Sequence, residues 1–540
     1  MVGTSKLVLD CSLLKLNLTI MKKQLQILIL FVFYACNILA QDEPKETLQW
    51  KPVYHFSPLK NWTNDPNGLI YIDGIYHLYN QQNPFENKWG HMSWGHATTT
   101  DLVHWKHHPI AMPETIDKDT TWRFSGCAVL DKDNKSGLCK GKNCIVAIYT
   151  ADQPNLKKES QFIAWSDDGG YTFTNYANNP VIDLHLRDFR DPNVFWYEKT
   201  GKWIMVVALP REHKVRFYSS KDLKKWDLLS EFGPQGYIDA AWECPFLIQL
   251  PVDNDPGKTK WALFNSPGGG KRGTYMQYFV GDFDGTSFKN DNPADTILTV
   301  DYGDSYYAAI PWNNLPPNQK IYIGWMVPGP QETSPWRGQM TIPRDLSLTK
   351  TSEGIRLRQQ PAAIIKNRLG ELSGNKMTSI SDMQLMEKEV PLNDQLKLHG
   401  NTYWLEAELE TDPGTVTGFK IGQKKDQDNK TVSETIIAYD ASKNQVFVDR
   451  TNIGPAKIKK DKGIQTIDVG RDAGKIKLEI LFDNSSLEVF VNNGEKVLTT
   501  YTFPETGADL LSAFSLNGKA TIKSLKVWDM SGISNSTASN

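Results

Sequence analysis

The stretch Asn64-Asp-Pro-Asn-Gly-Leu-Ile-Tyr-Ile-Asp-Gly-Ile-Tyr-His-Leu-Tyr79 sets the frame for reading this chain. Two short apolar and aromatic runs, Leu69 to Ile72 and Tyr76 to Tyr79, flank Asp73-Gly74, a pair that turns an antiparallel hairpin. Outward from it, the chain from Trp50 to about Lys350 reads the same way. Short strands are cut by Gly, Pro, Asn and Asp, and helical periodicity is scarce. A loose repeat runs through this region. Asp101-Leu-Val-His-Trp105, Asp168-Gly-Gly-Tyr-Thr-Phe173, Asp222-Leu-Lys-Lys-Trp226 and Asp284-Gly-Thr-Ser-Phe288 each put an Asp four or five residues before an aromatic. A period of about sixty residues accommodates a four-stranded unit with long loops, and five such units fill the region. The expectation is an all-β chain opening with a five-bladed β-propeller.

Beyond this the pattern changes. The expected layout is an upstream extension and signal peptide over 1–40 and a propeller catalytic domain over 48–350. A linker over 351–373, in which Ile355 to Pro361 reads as a strand and Ala362 to Leu369 as a short helix or linker, a second β domain over 374–530 and a flexible tail over 531–540 follow. Thr402 to Glu410 and Lys477 to Phe482 alternate as half-buried strands, and Leu487 to Val491 meets Lys496 to Thr500 across Asn492-Asn493-Gly494. This reads as a β-sandwich.

Three acidic motifs carry the chemistry: Asn64-Asp65-Pro66-Asn67-Gly68, Arg190-Asp191-Pro192 and Trp242-Glu243-Cys244-Pro245. Each sets one carboxylate beside residues that fix the backbone. The innermost strands of a propeller converge on a central funnel, so acids far apart in sequence meet there. Two carboxylates facing each other across a cleft are the minimum equipment for cleaving a glycosidic bond, and a third can hold sugar hydroxyls.

The formal charge of −2 and the absence of a Lys/Arg run exclude nucleic acid as a partner. The 17 Trp suit sugar binding, since indole rings pack on apolar sugar faces. No paired C-x-x-C or H-E-x-x-H spacing occurs, so no metal and no organic cofactor is expected. Lys22-Lys23 before an apolar run ending at Ala40 reads as a signal peptide at about 21–40, with Met21 as the start, and export or periplasmic location follows. The run is too short for a comfortable membrane span. Lipid attachment at Cys36 is disfavoured by bulky Phe33-Tyr34. Cys139 and Cys144 flank a turn-rich tip, where a small disulfide loop and two free thiols are the alternatives.

Trp62-Thr-Asn-Asp-Pro-Asn-Gly68, Trp89-Gly-His-Met-Ser-Trp-Gly-His96, Phe124-Ser-Gly126, Phe189-Arg-Asp-Pro192, Trp242-Glu-Cys-Pro245 and Trp336-Arg-Gly-Gln-Met-Thr-Ile-Pro-Arg344 occur in a fixed order. Together they resemble the β-fructofuranosidases of glycoside hydrolase family 32, which include invertases, exo-inulinases and levanases, over about residues 50 to 530. Met276 to Gly285 looks most like bacterial levanases. The resemblance implies a five-bladed propeller followed by a β-sandwich, and hydrolysis of terminal β-fructofuranosyl linkages of levan, inulin or sucrose with retention. It implies Asp65 as nucleophile, Glu243 as general acid and base, and Asp191 as transition-state stabiliser. Asn64, Gln81, Trp89, Phe124, Ser125 and Arg190 would line the fructosyl pocket. Clustered charge from Asp65 and Asp191 should raise the Glu243 pKa, and Arg190 should help keep Asp191 ionised. Trp94, Trp105 and Trp226 read as core, and His91 and His96 as structural.

The sequence departs from the family pattern at Thr63 and Cys127, and in two stretches nearer to specificity. Gly303-Asp-Ser-Tyr-Tyr-Ala308 stands where Gly-Arg-Asp-Phe-Tyr-Ala is usual, and Val327 to Glu332 lacks the usual aromatics. These changes leave exo and endo action open. A fructosyltransferase and a non-catalytic fructan-binding protein are the alternatives.

Overall fold

The computed structural model describes residues 47–116, 120–329, 332–454, 463–470 and 474–533, with the backbone of 537–538. The expected signal peptide, the extension before it and Cys36 lie outside the described residues.

Four antiparallel meanders follow one another. The first contains β1 (Asn61–Ile72), β2 (Ile75–Asn83), β3 (Ser93–Thr99) and β4 (Lys106–Met112). Asp73 and Gly74 join β1 to β2 at positive φ, 48° and 87°, as the tight hairpin turn requires. The second contains β5 (Trp122–Asp131), β6 (Cys144–Gln153), β7 (Lys158–Ser166) and β8 (Thr174–Asn175), with β9 (Ile182–Leu186) also on β7. The third is β10 (Arg190–Tyr197), β11 (Lys202–Leu209), β12 (Lys214–Ser220) and β13 (Asp227–Phe232). The fourth is β14 (Ala241–Val252), β15 (Asp255–Gly268), β16 (Gln277–Phe283) and β17 (Phe288–Asn290), with β18 (Leu298–Thr299) on β16.

A further ladder is built from β19 (Tyr306–Pro311) and β20 (Ile321–Met326) and, after β21 (Trp336–Arg337), which pairs with β1 in the first sheet, from β22 (Gln339–Met340, on β20), β23 (Arg344–Thr351) and β24 (Gly354–Pro361). It shares one ten-stranded sheet with the fourth meander, joined where Val252 pairs with Leu348.

The repeated Asp residues explain the spacing of the meanders. Each lies in the turn between a third and a fourth strand, where one carboxylate oxygen accepts two backbone N–H groups. Asp101 takes those of Val103 and His104 (3.0 and 2.8 Å), and Asp168 those of Tyr171 and Thr172 (both 3.0 Å). Asp222 takes those of Lys224 and Lys225 (both 2.9 Å), and Asp284 those of Thr286 and Ser287 (2.7 and 2.8 Å). Such a side chain replaces ladder hydrogen bonds where the chain reverses. The aromatic that follows anchors the turn: Trp105 and Phe288 are buried, and Phe173 and Trp226 pack on neighbouring apolar clusters. Trp94 is fully buried.

The first strands β1, β5, β10, β14 and β19 are neighbours in that order, and β19 returns to β1. Each carries a register shift near one end. The shifts fall between Thr63 and Pro66, Arg123 and Gly126, Arg190 and Asn193, Glu243 and Phe246, and Tyr307 and Ile310. A bulge bends a strand and re-aims the side chain inside it. Asp65, Ser125, Asp191 and Cys244 lie inside these bulges.

The segment 351–373 holds a strand followed by short helices. β24 pairs with β23 along its whole length and buries Leu357. Two short helices follow, α1 (Ala363–Lys366) and α2 (Leu369–Leu372). Ile533, within the stretch expected as a tail, is buried, and its N–H meets the Met530 carbonyl.

The C-terminal strands are β25 (Met377–Met386), β26 (Glu389–Pro391), β27 (Thr402–Thr411), β28 (Val416–Lys425), β29 (Thr431–Asp440) and β30 (Gln445–Asn452). β31 (Ile464–Asp468), β32 (Lys475–Asp483), β33 (Ser486–Val491), β34 (Lys496–Tyr501), β35 (Leu510–Leu516) and β36 (Lys519–Asp529) complete them. They form two six-stranded antiparallel sheets, β25-β36-β27-β32-β33-β34 and β26-β35-β28-β29-β30-β31. Leu405, Ile480 and Val489 of one share an apolar core with Phe419, Ile437 and Val448 of the other.

A buried ionic seam joins these sheets to the N-terminal region. Both ring nitrogens of His55 face carboxylates, Nδ1 to Asp483 and Nε2 to Glu488, each at 2.8 Å. Arg344 donates to Glu488, to Asp301 (3.0 Å) and to Thr499 Oγ1. Beside it, loop 301–305 lies along β34. Tyr302 N–H meets the Val497 carbonyl (2.8 Å), Thr499 N–H meets Asp301 (2.8 Å), and Arg450 pairs with Asp304 (2.6 Å).

Candidate active site

Asp65, Asp191 and Glu243, which lie far apart in sequence, come together at the bulged ends of β1, β10 and β14. Asp65 accepts hydrogen bonds from Asn64 Nδ2 (3.1 Å), Gln81 Nε2 (3.4 Å) and Ser125 Oγ (2.5 Å). Gln81 also donates to Ser125, and Trp62 Nε1 holds the Asn64 amide oxygen at 2.9 Å. Gly68 permits this packing: it sits at φ +55°, and a Cβ there would fall 2.6 Å from Tyr79 and 2.7 Å from Trp94.

Cys244 links two of the acids. Its backbone N–H donates to Asp191 Oδ2 (2.9 Å), and its thiol lies 3.4 Å from Asp65 Oδ2 and 3.7 Å from Asp191 Oδ2. Cys244 and Asp191 both adopt positive φ, 47° and 65°, which turns their side chains inward from the bulges. Burial raises the Cys244 thiol well above its ordinary pKa, and the Asp191 and Asp65 charges add to that, so sulfur stays protonated and donates.

Glu243 stands at the edge of the group with 29% of its side chain exposed. Arg190 Nε donates to Oε1 (3.2 Å) and the Tyr307 hydroxyl donates to Oε2 (2.6 Å). Desolvation raises the Glu243 pKa, Arg190 and Tyr307 hold it down, and Asp65 pushes it up. A carboxyl balanced in this way is suited to giving and taking a proton. For Asp191, burial is the first cause of a pKa well above the carboxylate range, and Glu243 adds to it. Arg190 opposes this, yet its hydrogen bonds go to Glu243, Glu159 and Asp188 rather than to Asp191. Arg190 thus favours ionised Asp191 through its charge, as expected, while among the three acids its hydrogen bond goes to Glu243.

Trp89 and Phe124 join the site differently. Trp89 is 53% exposed and meets Trp122 and Phe124 edge to face, with centroids 5.3 and 6.1 Å apart. This aromatic wall adjoins the carboxylates through Ser125. His91 binds Glu114 (2.8 Å), and His96 is buried in a stack with His77 and Tyr79. Cys139 and Cys144 form a disulfide away from the acids. Sequence reasoning flagged the segment 303–308 but missed Tyr307 as a partner of Glu243, and it missed Glu159 altogether. No local motif marks either, because each reaches the site from a strand far away in sequence.

The model for the glycosyl hydrolases family 32 N-terminal domain matches residues 55–361, and that for the family 32 C-terminal region matches 371–529. The chain belongs to glycosyl hydrolases family 32. Within family 32 it is 40% identical over 534 residues to a levanase of Bacillus subtilis (strain 168), covering 94% of this chain and 76% of that protein. It is 33% identical over 511 residues to invertase 2 of Saccharomyces cerevisiae, covering 87% and 92%. The crystal structure of an exo-inulinase from Aspergillus awamori superposes with a TM-score of 0.80 at 34% identity, covering 90% of this chain and 98% of that one.

Proposed function

We propose that this chain is a secreted β-fructofuranosidase that hydrolyses terminal fructosyl linkages of levan- or inulin-type fructans, and sucrose, with retention of configuration. The observation that carries this reading is the convergence of Asp65, Asp191 and Glu243 at the bulged ends of neighbouring strands, with Cys244 bridging Asp65 and Asp191 and Glu243 held by Arg190 and Tyr307. Asp65 is the nucleophile: three polar side chains and a thiol fix its oxygens beneath the position of the fructosyl C2, where positive charge develops. Glu243 protonates the leaving oxygen and then takes a proton from water. Asp191 holds fructose hydroxyls and steadies the transition state. Asn64, Gln81, Ser125 and Arg190 orient the fructosyl ring, and Trp89 and Phe124 pack on its apolar face or that of its neighbour. The meanders and the β19–β24 ladder are five blades of one propeller, and the C-terminal sheets are its β-sandwich.

The experiment is a time-resolved product profile on levan, inulin and sucrose, with folded Glu243→Gln as control. Fructose alone from the first time point supports exo hydrolysis. Early oligosaccharides shorter than the substrate identify endo action, and products longer than it identify transfer. No product from any substrate by folded protein overturns the hydrolase reading in favour of binding alone.

A further inference from the structure

The Arg190 guanidinium is shared among three acids. Nε reaches Glu243 Oε1 at 3.2 Å, NH1 reaches Glu159 Oε1 at 2.5 Å and NH2 reaches Asp188 Oδ1 at 2.9 Å. Glu243 and Asp188 are partly open to solvent, whereas Glu159, on β7, is fully buried. Its second oxygen accepts the Phe189 N–H (2.9 Å), and Gln161, two residues along β7, donates to the Phe189 carbonyl (2.7 Å). The residue before Arg190 is thus clamped at both ends by one strand of the preceding sheet.

We propose that Glu159 is a positioning residue that aims Arg190 at Glu243, neutralises part of the arginine's charge and so governs how readily Glu243 releases its proton. This rests on the reading of Glu243 as the acid and base. A buried carboxylate is costly unless it is paired, and a scaffold role alone would be met by a neutral side chain. Here a carboxyl is kept, one guanidinium away from the acid. The other charged groups facing Glu159 are Asp152 on β6 and Arg187, which bonds Asp152 and lies 3.5 Å from Glu159. Asp188 is tied on its far side to Arg211. These three acids and three arginines already balance, so Glu243 shares Arg190 with a carboxylate that is there first. Burial raises Glu159 itself to about 7, against the pull of Arg190.

The test is the pH profile of kcat/KM, whose alkaline limb reports loss of the acid's proton in the free enzyme. Glu159→Gln keeps the shape and removes the charge. Arg190 is then left to Glu243, and the alkaline limb falls by about one pH unit, with about tenfold less activity above it. Arg187→Gln, at a half-exposed position, removes a charge that favours ionised Glu159, so Glu159 takes up a proton more readily and the limb falls in the same direction by less. A lowered limb in both variants, the larger fall in Glu159→Gln, establishes the proposal, and a rise in Arg187→Gln overturns it. A lowered melting temperature with an unmoved limb in both makes Glu159 a scaffold residue only and overturns it. Should Glu243→Gln retain the wild-type limb, the acid/base reading itself fails, which is a separate result.

Discussion

Raising the pH from 6.5 to 9 should strip the protein of about 3 kcal/mol of stability at one buried residue, His55. Both of its ring nitrogens lie 2.8 Å from carboxylate oxygens, which only accept, so the ring donates twice and is an imidazolium. Burial by itself would lower the pKa, but hydrogen bonds and charge from Asp483 and Glu488 outweigh it and hold His55 at about 9, against an ordinary 6.5. A folded-state pKa raised in this way contributes stability that is fully present below about pH 6.5, declines through the interval and is gone above about 9. The difference of about 2.5 pH units, at about 1.4 kcal/mol each, gives about 3.5 kcal/mol over the whole titration, about 3 of it within this interval. The assay is urea unfolding of wild type and His55→Gln at half-unit steps from pH 6 to 9.5. The wild-type midpoint should fall more steeply across the interval than that of the variant. Parallel curves, or a His55 ring resonance that titrates at or below 6.5, would refute the reasoning.

Tyr307→Phe removes a hydrogen bond that favours ionised Glu243, so the alkaline limb of kcat/KM should rise in pH, opposite to Glu159→Gln; a limb that falls excludes this role. Arg344→Met leaves Glu488 and Asp301 with less compensation inside the seam and should cost about 3–5 kcal/mol in chemical unfolding. Gly303→Ala puts a Cβ within 1.8 Å of the Thr499 carbonyl oxygen, so the loop must shift. A loss of about 1–3 kcal/mol with reduced turnover is expected, read by melting temperature and initial rate.

Local signals were legible in the sequence and cross-sheet ones were not. Asp73-Gly74 marks its hairpin because the turn is fixed by the φ values of its own two residues. The repeated Asp residues were visible because each caps the turn it belongs to. The three catalytic candidates stood out through the Pro, Asn and Gly beside them, which are the residues needed to form the bulges. Glu159 and Tyr307 carry no such neighbours, and their meaning comes from strands far away in sequence. β24 was legible as a strand, whereas its partner was not. Gly354-Ile-Arg-Leu-Arg-Gln-Gln-Pro361 alternates as a strand should, but only its pairing with β23 extends the preceding sheet through it. His55, ahead of the first strand, gave no hint of the two acids it bridges more than four hundred residues later.

The docking of loop 301–305 along β34 bears on how this architecture can be recombined. The boundary between the two matched regions falls near residue 370, yet Gly303 fits against Thr499 with no room for a side chain, and Asp304 is read by Arg450. Four residues past Gly303, Tyr307 reaches the Glu243 carboxyl. A chimera that takes only the C-terminal sheets from a relative therefore brings a mismatched edge to the strand carrying Tyr307. Including the relative's counterpart of 301–305 should restore turnover, while the simple boundary swap should fold and work poorly. The heritable module, in this sense, is discontinuous: the sandwich and a five-residue key lodged in the other half of the chain.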